Sequence, residues 1–237
     1  MSELLKISGL TGGYKDGVDI LRGIDLTINE GETIGIIGLN GSGKSTFGKA
    51  IVNMIPVRNG KIEFNGADIT RLSTPQIVRK GITIMQQGGQ IFPNLSIWEN
   101  LELAFGHTSM DSAEFKEIQA AVPLLRQSKQ ELKHRTADKL SGGQRHQLAF
   151  VMAIASKPKL VILDEPSAGL SPVAVDDMYR IIATIRGKTK VSIILIEQNV
   201  SKAVQNCDRC ALLSQGSVVD CFHRGEIADI ESIIFKK

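Results

Sequence analysis

The chain has 237 residues, 42% of them hydrophobic and 22% charged, so it is long enough for one large α/β domain or two small subdomains. A formal net charge of +3 without long blocks of like charge gives no reason to expect nucleic acid or an anionic membrane as a partner. The N-terminus lacks a charged segment followed by an apolar core, and no apolar run approaches the roughly 18 residues of a spanning helix. These two observations predict a cytoplasmic location, with any membrane contact made through another protein.

Two strands are predicted ahead of the first motif, over residues 4–10 and 19–28. The turn-rich segment between them carries Tyr14, whose aromatic face is suited to stacking on a purine. The alternative is an ordinary half-buried loop tyrosine.

The central motif is a glycine-rich segment between an apolar strand at residues 33–37 and a helix predicted over residues 47–54. Its G-x-x-x-x-G-K-[ST] spacing brings backbone N–H groups and a helix N-terminus to a phosphate group. Lys44 would then reach the β and γ phosphates of a nucleotide, and Ser45 would place its hydroxyl on Mg²⁺. The predicted phosphate-binding residues are Gly38, Asn40, Gly41, Ser42, Gly43, Lys44, Ser45 and Thr46.

Two further strands lead into a helix-rich part of the chain. They are predicted over residues 61–64 and 81–85, and the second runs into the glutamine-rich loop 86–90. From residue 93 to about residue 139 strand propensity is low, and helices are predicted over residues 97–105 and 114–126. We interpret this part as a helical subdomain inserted into an α/β core.

Two later segments place polar residues where a helix begins or a strand ends. The segment Leu140-Ser141-Gly142-Gly143-Gln144-Arg145 opens a long helix with its glycines at the helix start, so it is a second candidate phosphate site. The apolar strand 160–164 closes on Asp164 and Glu165, and buried strands that end in acids are uncommon unless the acids function. A helix from Pro172, a strand over 191–196 ending at Glu197-Gln198-Asn199, a helix near 201–206 and a hairpin around 215–216 follow.

The cysteines and histidines form no metal motif. Cys207 and Cys210 have C-x-x-C spacing, but no second pair lies at ligand spacing, and Cys221 leaves an odd count. We predict packing thiols in a reducing compartment. The four histidines are scattered and predict ordinary surface or partly buried roles.

The phosphate loop, the glutamine loop, the LSGGQ segment and the strand ending in two acids, in that order, resemble the ATP-binding cassette (ABC) ATPases over nearly the whole chain. The resemblance implies an α/β fold with a P-loop NTPase core, an antiparallel β subdomain and an inserted α-helical subdomain. Residues 1–237 would form a single ABC ATPase domain, with 1–86 and 158–237 as the core and 87–157 as the helical subdomain with the LSGGQ helix.

The resemblance also implies ATP and Mg²⁺ as cofactors and gives residues their roles. Tyr14 would stack on adenine, and Gln87 would contact Mg²⁺ and the attacking water. Asp164 would hold the metal, so the metal residues would be Ser45, Gln87 and Asp164. Glu165 would polarise the water as general base.

The family builds complete sites between two cassettes packed head to tail. The LSGGQ residues of one chain, here Ser141, Gly142, Gly143 and Gln144, would face the γ-phosphate held by the other. Alternatives remain for single residues: a plain loop amide for Gln87, a simple helix cap for Ser141 and a structural acid for Glu165.

Two positions depart from the common family pattern. Ser171 stands where many ABC ATPases carry an aspartate, and Gln198 where most carry a histidine that faces the γ-phosphate. Gln198, grouped with Glu165 and Gln87 as catalytic, still donates a hydrogen bond but cannot be protonated, so its contact should not titrate near neutral pH. The chain resembles one branch in particular, that of the branched-chain amino acid importers and the close urea importers, in residues 90–96, 99–101, 165–172 and 197–199. Residues 233–237 lack the ending of that branch.

We therefore expect an ATP-hydrolysing subunit, peripheral on the inner face of the cell membrane, that powers import of branched-chain or other small amino acids. Its partners would be transmembrane permease subunits, a second ABC ATPase that is a copy or a related chain and, indirectly, a solute-binding protein, with no nucleic acid. The loop 87–95, which includes Phe92, would be a hinge that docks a permease helix. Alternatives are transport of urea or another solute, lipid or polysaccharide export, a soluble non-transport ABC ATPase and a binding-only cassette.

Overall fold

The computed structural model describes residues 2–14, 17–106, 110 and 112–223, without the side chain of Glu114. The fold divides into two compact units, one of residues 1–84, 159–165 and 191–237, the other of residues 85–158 and 166–190. Residues 166–190, which the sequence analysis places with the core, thus group with the helices of the second unit. His107 and the C-terminal residues 233–237 lie outside the described residues.

The first unit contains two sheets. Its strands are β1 (Glu3–Gly12), β2 (Leu21–Asn29), β3 (Thr33–Ile37), β4 (Val57–Phe64), β5 (Ala67–Asp68), β6 (Ile82–Met85), β7 (Leu160–Asp164), β8 (Ser192–Glu197), β9 (Arg209–Ser214) and β10 (Ser217–His223). One sheet is antiparallel with the order β2-β1-β4-β5, and the other has the order β10-β9-β3-β8-β7-β6, in which β9, β3, β8 and β7 are parallel. The predicted α/β class with an antiparallel β subdomain is confirmed.

The central strands carry continuous apolar runs because both of their faces are covered. Every residue of β3, β7 and β8 is buried, as is typical of parallel strands. Ile37 lies opposite Glu197 and Asp164 lies opposite Ile196, so the carboxyl ends of these three strands are aligned at one edge of the sheet. The sheet topology thereby collects the polar residues that follow the apolar runs.

Three helices belong to the first unit: α1 (Lys44–Ile51), α2 (Thr74–Lys80) and α8 (Val200–Asn206). Helix α1 packs closely on the sheet, because a Cβ added to Gly48 would lie 2.8 Å from Ile196 Cδ1 and 3.2 Å from Ile162 Cγ2. Cys207 and Cys210 are buried, as predicted for packing thiols, and Cys221 is exposed; none of the three forms a disulfide within the described residues.

The second unit contains helices α3 (Ile97–Phe105), α4 (Ala113–Ala121), α5 (Lys129–His134), α6 (Gly142–Ile154) and α7 (Pro172–Thr189), with 3₁₀ turns at Pro123–Arg126 and Ala137–Lys139. The continuous helix predicted over 114–126 is wrong: α4 ends at Ala121, and Pro123, which lacks an N–H, begins a 3₁₀ turn. Within the described part of the chain, no helix is both long and apolar enough to cross a membrane.

Candidate active site

The phosphate loop connects β3 to α1 through backbone conformations that favour glycine. A Cβ on Gly38 would lie 2.2 Å from the carbonyl oxygen of Leu213, so only glycine fits there. Gly41 and Gly43 have φ angles of 78° and 104°, in the left-handed region. The Ser42 hydroxyl is buried and has no hydrogen-bond partner among the described residues, and a Cβ on Gly38 would lie 2.8 Å from it. The shape of this loop therefore depends on glycine at these positions.

Lys44 begins α1 and folds back over this loop. Its Nζ donates to the carbonyl oxygens of Gly38 at 2.8 Å and Leu39 at 3.1 Å. Burial lowers the pKa of Lys44, although the charges of Glu165 and Asp164 oppose the shift. The ammonium is therefore held at the loop, where its desolvation outweighs the attraction of the three nearby carboxylates, those of Glu165, Asp164 and Glu197.

Ser45 and Asp164 meet where α1 begins and β7 ends. The Ser45 hydroxyl donates to Asp164 Oδ1 at 2.8 Å. Asp164 is only 1% exposed, and this burial raises its pKa above the usual value, although the bond from Ser45 opposes the shift. Two oxygen groups that suit a hard cation are thus adjacent beside the loop.

Glu165 follows directly and has an unusual backbone. Its φ is 48°, and its N–H donates to the carbonyl oxygen of Ile196 at 2.9 Å. Its side chain is half-buried, and burial raises its pKa while the charge of Lys44 lowers it. A carboxylate with a raised pKa is better suited to accept a proton than an ordinary surface acid.

The remaining predicted residues of the first unit are Tyr14, Asn40, Thr46 and Gln198. Tyr14 is 48% exposed, and Lys49 Nζ lies 3.4 Å from its hydroxyl and 5.7 Å from the ring centre. Asn40 and Gln198 are exposed, and Thr46 is buried in the first turn of α1. The exposed part of the Tyr14 ring leaves a surface on which a planar ligand can stack.

The second unit carries the other predicted residues. Gln87 is exposed in the turn after β6. Ser141 caps α6, since its hydroxyl accepts from the Gln144 N–H at 3.3 Å, which agrees with the helix-cap alternative without excluding a ligand. Gly142 and Gly143 open α6, where a Cβ on Gly143 would lie 3.2 Å from Ala174 Cβ. Gln144 Oε1 accepts from Arg135 Nη2 at 2.7 Å.

A family model described as ABC transporter matches residues 21–168, which is more than half of the chain. The chain belongs to the ABC transporter family. This ABC ATPase is 36% identical over 216 residues to the probable branched-chain amino acid transport ATP-binding protein LivF of Archaeoglobus fulgidus, covering 91% of this chain and 90% of LivF. It is 32% identical over 215 residues to the lipopolysaccharide export system ATP-binding protein LptB of Escherichia coli K12, covering 91% and 88%.

The fold agrees with solved cassettes. A dimeric ATP-binding cassette in a post-hydrolysis state with ADP and Pi matches with a TM-score of 0.78 at 22% identity, over 93% of this chain and 99% of that chain. The P-loop NTPase fold predicted from the motifs is confirmed. The ABC ATPase binds ATP and hydrolyses it in a reaction coupled to transport, and cassettes of this kind dimerise and work with transmembrane permease subunits.

The motif analysis of the ABC ATPase did not single out one acid at the site, Glu197. It ends β8, is 2% exposed, and acts electrostatically on Lys44, Asp164 and Glu165. The sequence signal that identified Asp164, an apolar strand that ends at an acid, was also present at Glu197.

The donor set of the ABC ATPase fits a nucleotide with a cation. Among the described residues, no group of three His, Cys, Asp or Glu side chains forms a metal site by itself. The adjacent oxygens of Ser45 and Asp164 instead suit a cation that takes its other ligands from phosphate and water.

Proposed function

We propose that this ABC ATPase powers the import of branched-chain or other small amino acids through a partner permease, from the inner face of the cell membrane. The similarity to LivF over 91% of the chain supports this solute class. The observation that carries the proposed chemistry is the contact between Ser45 and Asp164 beside Lys44, because it brings a hydroxyl, a carboxylate and an ammonium to one end of the phosphate loop.

In this proposal the phosphate loop and Lys44 bind the nucleotide phosphates. Loop N–H groups and the N-terminus of α1 face the anion, and Lys44 Nζ replaces its bonds to loop carbonyls with bonds to the β and γ phosphates. Ser45, Asp164 and Gln87 hold Mg²⁺, which when bound neutralises phosphate charge. The exposed part of Tyr14 stacks on adenine.

Glu165 takes the proton of the attacking water. Its raised pKa and its position directly after the metal-binding Asp164 support this role. Gln198, exposed just beyond β8, donates an amide hydrogen bond to the γ-phosphate, and the glutamine does not titrate near neutral pH.

The LSGGQ segment completes the site of a second cassette. Ser141, Gly142 and Gly143 stand at the N-terminus of a 13-residue helix, whose free N–H groups and positive dipole end favour an anion. The dimeric assembly of the solved cassette supports the same arrangement here, with either a copy or a related chain as partner.

Phe92 is proposed to dock a cytoplasmic helix of the permease. Its side chain is 52% exposed, while the buried amide of Asn100 holds its backbone: Phe92 N–H donates to Asn100 Oδ1 at 2.8 Å, and Asn100 Nδ2 donates to Phe92 O at 2.9 Å. A fixed loop that presents an exposed aromatic ring is suited to a protein contact.

A second candidate function is lipid or polysaccharide export, which the similarity to LptB favours. The test is copurification of the tagged chain from its native membrane in a gentle detergent, together with leucine uptake in cells whose only copy carries Glu165→Gln. We expect a multi-spanning permease, a second cassette and an amino-acid-binding protein to copurify with the chain. We expect the Glu165→Gln cells to lose leucine uptake. Unchanged uptake together with lipid-export partners would replace import by export, and a purely soluble assembly would contradict both.

A further inference from the structure

His146, two residues after the LSGGQ segment, lies at a buried junction within the second unit. It is 4% exposed on α6, and its Nδ1 lies 2.7 Å from the carbonyl oxygen of Pro166. Because a carbonyl oxygen only accepts, Nδ1 carries the proton and donates it. Gly89 of the glutamine loop packs against the same residue, since a Cβ on Gly89 would lie 3.1 Å from His146 Cδ2 and 3.3 Å from His146 Cα. One side chain therefore contacts both the glutamine loop and the turn that follows the two acids.

That turn begins at a residue with a strained backbone. Glu165 has a φ of 48°, a left-handed conformation that is unfavourable for a residue with a side chain, and Pro166 restricts it further. Such conformations persist only where neighbouring groups hold them. On one side the Glu165 N–H donates to the carbonyl oxygen of Ile196 at 2.9 Å. On the other side the carbonyl oxygen of the following residue, Pro166, accepts a hydrogen bond from His146 Nδ1.

We propose that His146 is a positioning residue for ATP hydrolysis, which fixes the Pro166 carbonyl and thereby the direction of the Glu165 carboxylate. Its contact with Gly89, two residues beyond Gln87, ties α6 to the glutamine loop in the same junction. The inference rests on the proposed role of Glu165 as general base. His146 acts through Glu165, because its donor is already bound to the protein backbone.

The test compares two replacements in the full chain. His146→Asn keeps an amide N–H on Cγ, where the Nδ1 donor of His146 lies, whereas His146→Met has no donor. We expect the Met variant to lose kcat by about 10- to 100-fold with KM for ATP changed by less than about threefold, and the Asn variant to stay within about threefold of the original kcat. His134→Ala, at the exposed end of α5, is the matched control and should change neither constant.

Glu165→Gln in the same assay separates the two proposals. Normal hydrolysis by Glu165→Gln would remove the general base and the His146 inference with it. An inactive Glu165→Gln beside a Met variant of normal kcat would overturn the His146 inference alone. Equal losses in folded Met and Asn variants would also overturn it, since the donor would then be irrelevant. If the Met variant does not fold, a folded Asn variant with strongly reduced kcat is the overturning result.

Discussion

Replacement of Gly35 by alanine tests how tightly the strand that leads into the phosphate loop is packed. Gly35 is the middle residue of β3 and pairs with Leu195 of β8 and with Cys210 of β9. A Cβ there would lie 2.8 Å from Cys210 Sγ and 3.1 Å from Cys207 Sγ. Because β3 has ladder partners on both sides, the strand cannot move away from the two thiols.

We expect Gly35→Ala to be destabilising. Overpacking a filled core costs about 1–3 kcal/mol, and the smaller unfolded-chain entropy of alanine offsets about 0.5–1 kcal/mol of that. Cys207 and Cys210 are 1% and 0% exposed, so neither short side chain can turn into solvent. A net loss of about 1–2 kcal/mol would lower Tm by about 2–8 °C for a domain of this size.

The control is the double variant Gly35→Ala with Cys210→Ala. Removing Cys210 Sγ vacates the space that the new methyl group needs, so the double variant should be more stable than the sum of the single losses by about 1 kcal/mol or more. Urea unfolding without nucleotide measures all four corners of the cycle. Strictly additive losses, or a Gly35→Ala variant as stable as the original, would refute the packing argument.

Four further predictions concern the site. Glu165→Gln should bind ATP, hydrolyse it at least roughly 100-fold more slowly and accumulate as a dimer in gel filtration, and retained hydrolysis would remove Glu165 from its role. Ser42→Ala should stabilise the nucleotide-free protein by about 1 kcal/mol in urea unfolding, because it removes a buried hydroxyl that finds no hydrogen-bond partner among the described residues, and a loss of stability would contradict this. Burial raises the pKa of Asp164 in the folded state, so between the ordinary and the raised pKa the folded state holds a proton that the unfolded state releases. The free energy of unfolding therefore falls as pH rises through this window. Asp164→Asn should be more stable than the original protein above the window, and unfolding curves at several pH values should show the difference disappear below it. Phe92→Ala should abolish transport while ATP binding by the chain stays intact, whereas Val173→Ala, 72% exposed on α7, should leave both unchanged.

The parts of the fold that sequence predicts best are those fixed by local chemistry. The apolar runs of β3 and β7, and the Ser96 cap of α3 with Glu99 at the third helical position, specify their elements within a few residues. Helix α2 had comparable signals, with Ser73 and Gln76 forming a capping box and Gly81 at its end, but it is only seven residues long and was not predicted. Its brevity gives no periodicity to recognise.

Features that depend on residues distant in the sequence could not be predicted in the same way. Strand β4 begins at Val57, four residues before its predicted start, because its first half pairs with β1, where Val57 lies opposite Gly12. At the site, the motif spacing identified Lys44 and Ser45, but nothing local to His146 marks it as a neighbour of Pro166. Only the folded chain brings those two residues together.

The charges of the site explain why a cation belongs to the proposed chemistry. Lys44 and Lys49 contribute two positive charges, while Asp164, Glu165 and Glu197 contribute three negative charges; Lys44 interacts with all three carboxylates and Lys49 with Asp164. Two of the carboxylates, Asp164 and Glu197, are 1% and 2% exposed, so water screens them little. A polyanionic nucleotide adds further negative charge to the same place. A divalent cation held by Ser45 and Asp164 would offset the negative charge of the carboxylates and of the phosphates, and the buried charge of Glu197 would strengthen its binding although Glu197 is not among the residues proposed to hold it.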